Sequence, residues 1–413
     1  MKLARGATLP LSKYIFVLAH SDLSLAELIA YLESQEVSFH VLGFNEKVAL
    51  LSIADYNLNQ IGLSLGGIYK IGTVLSSLER SRLRMREIKV LDGTQFFDFL
   101  PEKVSWGLSV YSMQELTEEV QYIRDYFQQR LRAAGATKGK YQSATRPSQQ
   151  AYPEVMSEDI TRRRMMDILV ALIGSTYDFG LSEVVPDHEA FRKRDLGRPV
   201  QKPMISIPPK LARMLVNLSG VKPSEILLDP FCGIGTILQE GLVMGADIRG
   251  IDLRRDMVEA TRRNLDWISR EFRIGLTGLD DKVINGDAQN LQHYFHESSI
   301  DAVASEPVLL PPLKQFVSEK KAGLLLAKSR KIYARALESI SSVLKRWRRV
   351  AIVAPFIRTR GGGMKSFDLK SMASKVGLME YIPRGLPKIR WPLFPTIAGD
   401  EKVIRGIFVF RKS

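Results

Sequence analysis

The stretch that decides the fold of this 413-residue chain is Ile226-Leu-Leu-Asp-Pro-Phe-Cys-Gly-Ile-Gly-Thr-Ile237. Its apolar beginning predicts a buried strand, and the turn that carries Gly233 and Gly235 predicts the start of a helix. The glycines would let a ligand approach the backbone, and the free N–H groups of the helix could bind a carboxylate. A dinucleotide site would need a third glycine where Leu238 stands, so the sequence disfavours NAD binding.

Strands and helices alternate from this stretch to a last predicted strand at residues 403–410. The alternation predicts a doubly wound α/β domain with a parallel sheet. An aspartate ends each of the first three strands, namely Asp229, Asp252 and Asp287. Because the carboxyl ends of parallel strands meet at one edge of a sheet, we expect these carboxylates to line one crevice. Taken singly, each aspartate could instead be a helix N-cap or a turn former.

Together the three aspartates suit one small molecule. Asp252 stands where a carboxylate can accept both hydroxyls of a ribose, and Asp287 where it can accept an adenine amino hydrogen. Asp229 would lie near an amino-acid moiety. The combination predicts S-adenosylmethionine as the cofactor.

The fourth predicted strand ends at Glu306-Pro307. An exocyclic amine on a nucleobase is a poor nucleophile, because its lone pair is delocalised into the ring. A side-chain acceptor and a backbone carbonyl that bind the amine hydrogens can direct that lone pair toward a methyl donor. We therefore predict Glu306 and the carbonyl of Pro307 as the catalytic pair, although a strand that simply ends at Glu-Pro is the competing interpretation.

Composition narrows the class of protein. The 59 Lys and Arg exceed the 45 Asp and Glu, and the formal net charge of +14 favours a polyanionic partner such as nucleic acid or an acidic membrane face. Cys232 is the single cysteine, which excludes an intramolecular disulfide and a Cys-based zinc site. The apolar runs are too short for a signal peptide or a membrane span. We expect a soluble cytoplasmic protein that holds no metal.

The first 190 residues have a different pattern. Residues 1–95 predict a small α+β module of strand, helix, strand, strand and helix, and a second unit begins at residue 96. Residues 191–208 are rich in Arg and Pro, which predicts an irregular linker with a basic face in which helix cannot persist.

Three stretches resemble the THUMP-domain family of tRNA guanine N2-methyltransferases, the archaeal and eukaryotic enzymes that act on the guanosine at tRNA position 10. They are residues 191–199, 209–220 and 229–240, the last running on to Asp252. The resemblance is specific from about Phe191 to Pro307, and in the first 190 residues it rests on order and size. It implies a ferredoxin-like module over 1–95, a THUMP RNA-binding domain over 96–190, a linker over 191–208 and a Rossmann-type methyltransferase domain over 209–413.

The resemblance also implies an activity, which is methyl transfer from S-adenosylmethionine to the N2 amine of a tRNA guanosine. Two alternatives stay open. One is an RNA methyltransferase with another acceptor, such as adenine N6 or a ribosomal guanosine, and the other is a catalytically inactive module that binds cofactor and RNA. We expect tRNA as partner and a monomeric chain, and some relatives use a small activating subunit.

Matched residue by residue, the resemblance assigns Asp229, Gly233, Gly235, Asp252 and Asp287 to the cofactor, and we predict Phe231 and Ala288 as further cofactor contacts. Arg194, Asp195, Arg198 and Pro199 match the family's linker signature, and on the basic face of the linker we predict Arg192, Lys193, Arg194 and Arg198 as RNA-binding residues.

The chain departs from the family at one motif. Where the family has Asp-Pro-Pro-Tyr, this sequence has Glu306-Pro307-Val308-Leu309. The acid is one methylene longer, and no aromatic ring follows that could stack on a flipped base. The departure falls on the residues expected to bind the target base and leaves those expected to bind the cofactor unchanged.

Overall fold

The computed structural model describes residues 11–54, 56–93, 96–97, 105–114, 116–135, 138–143, 165–202, 206–307, 310, 313–387, 389, 391–397 and 399–413. These residues form two compact units. The first contains the described residues of Met1–Ser21, Glu36–Ser64 and Ile68–Glu189, and the second those of Asp22–Gln35, Leu65–Gly67 and Ala190–Ser413. We describe each unit by itself.

The first unit is built on one eight-stranded sheet with the order β2-β3-β1-β4-β8-β7-β5-β6. Its strands are β1 (Ser12–Leu18), β2 (Phe39–Phe44), β3 (Val48–Ile53), β4 (Ile68–Glu79), β5 (Ser105–Tyr111), β6 (Lys138–Ser143), β7 (Met165–Ile173) and β8 (Thr176–Val184). The α-helices among its described residues are α2 (Leu58–Ser64), α3 (Arg80–Arg84) and α4 (Thr117–Ala133). Strands from the predicted modules 1–95 and 96–190 both belong to this sheet, since β4 pairs with β8.

The second unit is built on a sheet with the order β11-β10-β9-β12-β13-β16-β15, with β14 paired to β13. The five strands from β11 to β13 are parallel, and β16 is antiparallel to both of its neighbours. The strands are β9 (Ile226–Asp229), β10 (Asp247–Asp252), β11 (Val283–Asn285), β12 (Ala302–Ser305), β13 (Arg349–Arg358), β14 (Met364–Lys365), β15 (Leu378–Glu380) and β16 (Val403–Lys412).

Helices cover both faces of this second sheet. The helices among the described residues of this unit are α1 (Ser21–Ser34), α5 (His188–Leu196), α6 (Pro209–Ser219), α7 (Thr236–Val243), α8 (Arg255–Glu271), α9 (Leu279–Lys282), α10 (Glu319–Val343) and α11 (Leu369–Ser374). The central strands are apolar on both faces, as in residues 350–354, which are fully buried, because a parallel sheet is covered on both sides. The predicted doubly wound α/β fold is confirmed.

Helix α1 belongs to the second unit, although it lies within the stretch predicted as an N-terminal module. Leu23, Ala26 and Ala30 are fully buried in the same apolar cluster as Leu211 and Leu215 of α6. Apolar periodicity identified the helix itself, but periodicity says nothing about which sheet a helix covers.

The predicted linker is partly helical, which corrects the expectation that helix cannot persist there. Helix α5 runs to Leu196, and the described residues after it, 197–202 and 206–208, are irregular. The first proline of the region is Pro199, so nothing in the sequence interrupts the helix before that point. Pro209 is the first residue of α6, where its missing N–H has no partner to lose.

No helix in the described ranges combines the length and the apolar character needed to span a membrane.

Candidate active site

Asp229 lies at the carboxyl end of β9 and is almost completely buried. Its Oδ1 accepts hydrogen bonds from the backbone N–H of Phe231 at 3.1 Å and from the hydroxyl of Ser305 at 2.7 Å. Burial raises the pKa of this carboxyl from 3.8 to about 7, although the two hydrogen bonds oppose the shift. The side chain therefore ties the ends of β9 and β12 together and can exchange a proton near neutral pH.

The glycine turn after β9 needs its glycines for two different reasons. Gly233 and Gly235 have φ values of +54° and +86°, in the left-handed region that other residues rarely adopt. A Cβ at Gly235 would approach the side chain of Thr261 to 2.8 Å, whereas a Cβ at Gly233 would meet nothing within 4 Å. Gly235 thus allows close packing against α8, and Gly233 leaves open space for a ligand.

Asp252 ends β10 and is held against the same turn. Its Oδ2 accepts the N–H of Gly233 and its Oδ1 accepts the N–H of Arg254, both at 2.9 Å. Burial raises the pKa of Asp252, and the two N–H donors oppose that rise. Each carboxylate oxygen has a second lone pair, so the fixed carboxylate can still accept two ribose hydroxyls.

Asp287 follows β11 and forms a turn, which is the alternative role that the sequence analysis gave for each aspartate. Its Oδ1 accepts the N–H of Gln289 at 2.9 Å, at the start of a 3-10 turn over Ala288–His293. Asp287 also lines an open cleft of about 780 Å³ beside Phe295 and Arg335. Ala288 is buried next to it. The adenine contacts of Asp287 and Ala288 stay a prediction.

Glu306 and Pro307 follow β12. Only 9% of the Glu306 side chain is exposed, and its Oε1 accepts a hydrogen bond from Nε of Arg405 at 2.5 Å. Burial raises the pKa of Glu306, and the charge of Arg405 opposes that rise. Val308 and Leu309, the residues that depart most from the family motif, lie outside the described residues.

One small cavity of about 60 Å³ joins the cofactor turn to the fourth strand. Its wall contains Asp229, Phe231, Gly233 and Glu306. Asp252 reaches this turn through Gly233, whereas Asp287 and Ala288 are not among the residues that line the cavity. The structure thus brings the predicted acceptor acid next to the predicted cofactor turn.

Cys232 has no role as a nucleophile in this site. Burial raises the pKa of its thiol well above the ordinary value, so the sulfur stays protonated. The side chain is buried in an apolar cluster with Leu238 and Val258. Within the described ranges, no group of three or more His, Cys, Asp or Glu side chains could hold a metal ion.

The four basic residues predicted to bind RNA divide into two pairs. Arg192 and Lys193 are exposed, and Lys193 forms an ion pair with Glu271. Arg194 and Arg198 are buried instead, which corrects the expectation for these two side chains.

Both buried arginines connect α5 and the residues after it to α7. Arg194 donates to Glu240 of α7 at 2.6 and 3.2 Å, and Glu240 also pairs with Arg213 of α6 at 2.7 Å. Arg198 donates to the hydroxyl of Thr236 at 2.7 Å, at the start of α7. A guanidinium that is enclosed in this way cannot reach a phosphate.

The sequence reasoning missed Arg405, the partner of Glu306. The signal was present, because Arg405 is a basic residue inside a strand that is otherwise mostly apolar. A charged residue at such a position is rarely buried unless it is paired.

Comparison with known proteins finds a family model that matches part of the second unit. Residues 198–321 match the family described as "UPF0020: RMKL-like, methyltransferase domain". The tRNA (guanine(10)-N2)-dimethyltransferase of Methanothermobacter thermautotrophicus is 38% identical over 161 residues, which are 38% of this chain and 42% of that protein. The enzyme of the same name from Pyrococcus abyssi is 33% identical over 187 residues, 45% of this chain and 46% of that protein. The matches span less than half the length of these relatives.

A solved structure supports the fold. TrmN from Thermus thermophilus has a TM-score of 0.50 and 18% sequence identity, and the superposition covers 97% of this chain and 100% of that chain. At this identity the likeness concerns the fold alone.

Proposed function

We propose that this protein is an S-adenosylmethionine-dependent tRNA methyltransferase that acts on the N2 amine of the guanosine at position 10. The observation that carries the proposal is the cavity in which Glu306 faces the turn of Asp229 and Gly233. The names of these two relatives support the substrate.

The residues of the turn suit the cofactor. Gly233 leaves open space at the backbone, and Asp252 is a fixed carboxylate with lone pairs for a ribose. Asp229 can give up its proton near neutral pH and then face the ammonium group of an amino-acid moiety. When bound, S-adenosylmethionine supplies a methyl group that the amine nitrogen takes as the carbon–sulfur bond breaks and its electron pair returns to sulfur.

Residues of the protein itself orient the target base. The two hydrogens of the amine need acceptors, which the ionised Glu306 and the carbonyl of Pro307 provide. Glu306 also takes the proton that the nitrogen gives up once it has gained the methyl group. Oε1 of Glu306 already accepts from Arg405, so we assign Oε2, the less occupied oxygen, to the base. The target guanine must leave its stack to reach an acid this deep in the protein.

Exposed basic side chains on α5 are suited to contact the phosphates of an RNA backbone. Arg192 and Lys193 are exposed on α5, and we propose them as phosphate contacts in place of the buried Arg194 and Arg198. The substrate and the single cysteine both fit a cytoplasmic protein.

The test is a labelled-methyl assay with the purified chain and two tRNA transcripts that differ only by guanosine or adenosine at position 10. We expect label in the first transcript as N2-methylguanosine or its dimethyl form, identified by mass spectrometry of nucleosides. A second arm adds cell extract, because some relatives use a small activating subunit. Label on adenine N6, label only in ribosomal RNA, or no label in either arm would overturn the proposal.

Variants assign the roles within that assay. Glu306→Ala should retain cofactor binding and stop methyl transfer, because it removes only the acceptor of the amine. Full turnover by Glu306→Ala would refute the catalytic assignment.

A further inference from the structure

Arg405 reaches the acceptor acid from a distant part of the chain. It lies on β16 opposite Pro355 of β13, whereas Glu306 follows β12 on the other side of β13. Neighbouring strands are about 4.8 Å apart, so the two side chains meet across a gap of roughly 10 Å between backbones. Their contact is a hydrogen bond of 2.5 Å from Nε to Oε1.

The span explains why a glutamate can stand at this position. An aspartate is shorter by one carbon–carbon bond, about 1.5 Å, which is more than a hydrogen bond can stretch and still persist. With the backbone fixed, only the longer acid reaches the guanidinium. The departure from the family's aspartate and the presence of Arg405 are therefore linked by geometry.

The surroundings of Glu306 oppose its negative charge. The side chain is almost enclosed, and the buried carboxyl of Asp229 raises the cost of a second negative charge nearby. A protonated Glu306 would carry a hydrogen on one oxygen and would be a weaker acceptor for an amine. Among the described residues, Arg405 is the one side chain that donates a hydrogen bond to Glu306.

We propose that Arg405 is a positioning residue for methyl transfer, which keeps Glu306 ionised and turns Oε1 toward β16 so that Oε2 faces the amine. This inference rests on the proposed function. It adds a residue outside the motif at residues 306–309. The amine would be held by a glutamate that is itself fixed by an arginine.

The experiment compares Arg405→Gln and Arg405→Lys with the control Arg411→Gln. Arg411 lies on the same strand and contacts the rings of Trp347 and Tyr381. The Arg411→Gln control removes the same charge far from the acid. Single-turnover methyl transfer is measured from pH 5 to 9, together with the affinities for S-adenosylmethionine and tRNA. The unfolding temperature shows whether each variant is folded.

Transfer needs ionised Glu306, so the rate rises with pH through the pKa of this acid. Loss of an adjacent positive charge raises that pKa, and we expect the midpoint for Arg405→Gln to move up by about one to three pH units. The rate at pH 7 should fall about 100-fold with an unchanged cofactor affinity, and Arg405→Lys should recover part of it. Arg411→Gln should keep the wild-type rate and midpoint.

A double variant separates this role from RNA binding. If Arg405 acts through Glu306, then Arg405→Gln adds no further loss of rate in a Glu306→Gln background. A variant with wild-type rate and midpoint but weaker tRNA binding would show an RNA contact and overturn the inference. An inactive wild-type chain that still binds the cofactor would refute the proposed function instead, so the two failures are distinguishable.

Discussion

Removal of the Glu240 carboxylate should destabilise the second unit more than any surface substitution. Glu240 is fully buried on α7 and pairs with Arg194 of α5 at 2.6 Å and Arg213 of α6 at 2.7 Å. Both guanidinium groups are at least 96% buried, so Glu240→Ala removes the one carboxylate that pairs with both of these enclosed cations. Breaking a buried ion pair costs about 4 kcal/mol.

For a unit of this size, that loss lowers the unfolding temperature by about 8 to 16 °C. The matched control is Glu259→Ala, which removes the same side chain from an exposed pair with Arg255 at 3.4 Å. It should cost less than about 1 kcal/mol. Native-state hydrogen exchange of peptides from α6 and α7 measures the loss of stability within the second unit, without a contribution from the first unit. Equal and small effects of both substitutions would refute the ion-pair account.

Three further predictions concern the cofactor turn and α1. Asp252→Ala should abolish retention of labelled S-adenosylmethionine, because it removes the proposed ribose acceptor and the partner of the Gly233 N–H, and retention near the wild-type level would contradict this role. Affinity for the cofactor should rise as the pH passes about 7, where Asp229 loses its proton, and a flat profile in equilibrium dialysis would count against Asp229 as the ammonium partner. Burial raises the pKa of Glu27 from 4.5 to about 7, so its contribution to stability is complete below pH 4.5 and is lost as the pH rises through about 7. The free energy of unfolding measured with urea should fall over this pH range in the wild type, and Glu27→Gln should not show this decrease.

The local features of the second unit could be predicted from the sequence. Gly233 and Gly235 needed left-handed backbone, and Asp229 and Asp252 followed apolar strands, so composition and spacing were enough to place them at one sheet edge. These features depend on neighbours in the chain, which a sequence displays directly.

The contacts that complete the site connect residues far apart in the chain. Arg405 and Glu306 are 99 residues apart, and Glu27 of α1 accepts from Asn217 over a separation of 190 residues. Arg194 was predicted to bind RNA because a basic run is usually exposed, and only the fold shows that Glu240 is buried beside it. The sequence pattern shows that a charged residue stands at an apolar position, but it does not show which distant residue pairs with it.

Equilibrium dialysis of the wild-type chain against labelled S-adenosylmethionine tests the central claim most directly. We predict saturable binding of one molecule per chain, displaced by S-adenosylhomocysteine and unaffected by NADH, since the turn lacks the third glycine of a dinucleotide site. Absence of retained label, or displacement by NADH, would contradict the assignment of the turn at Gly233 as the cofactor site.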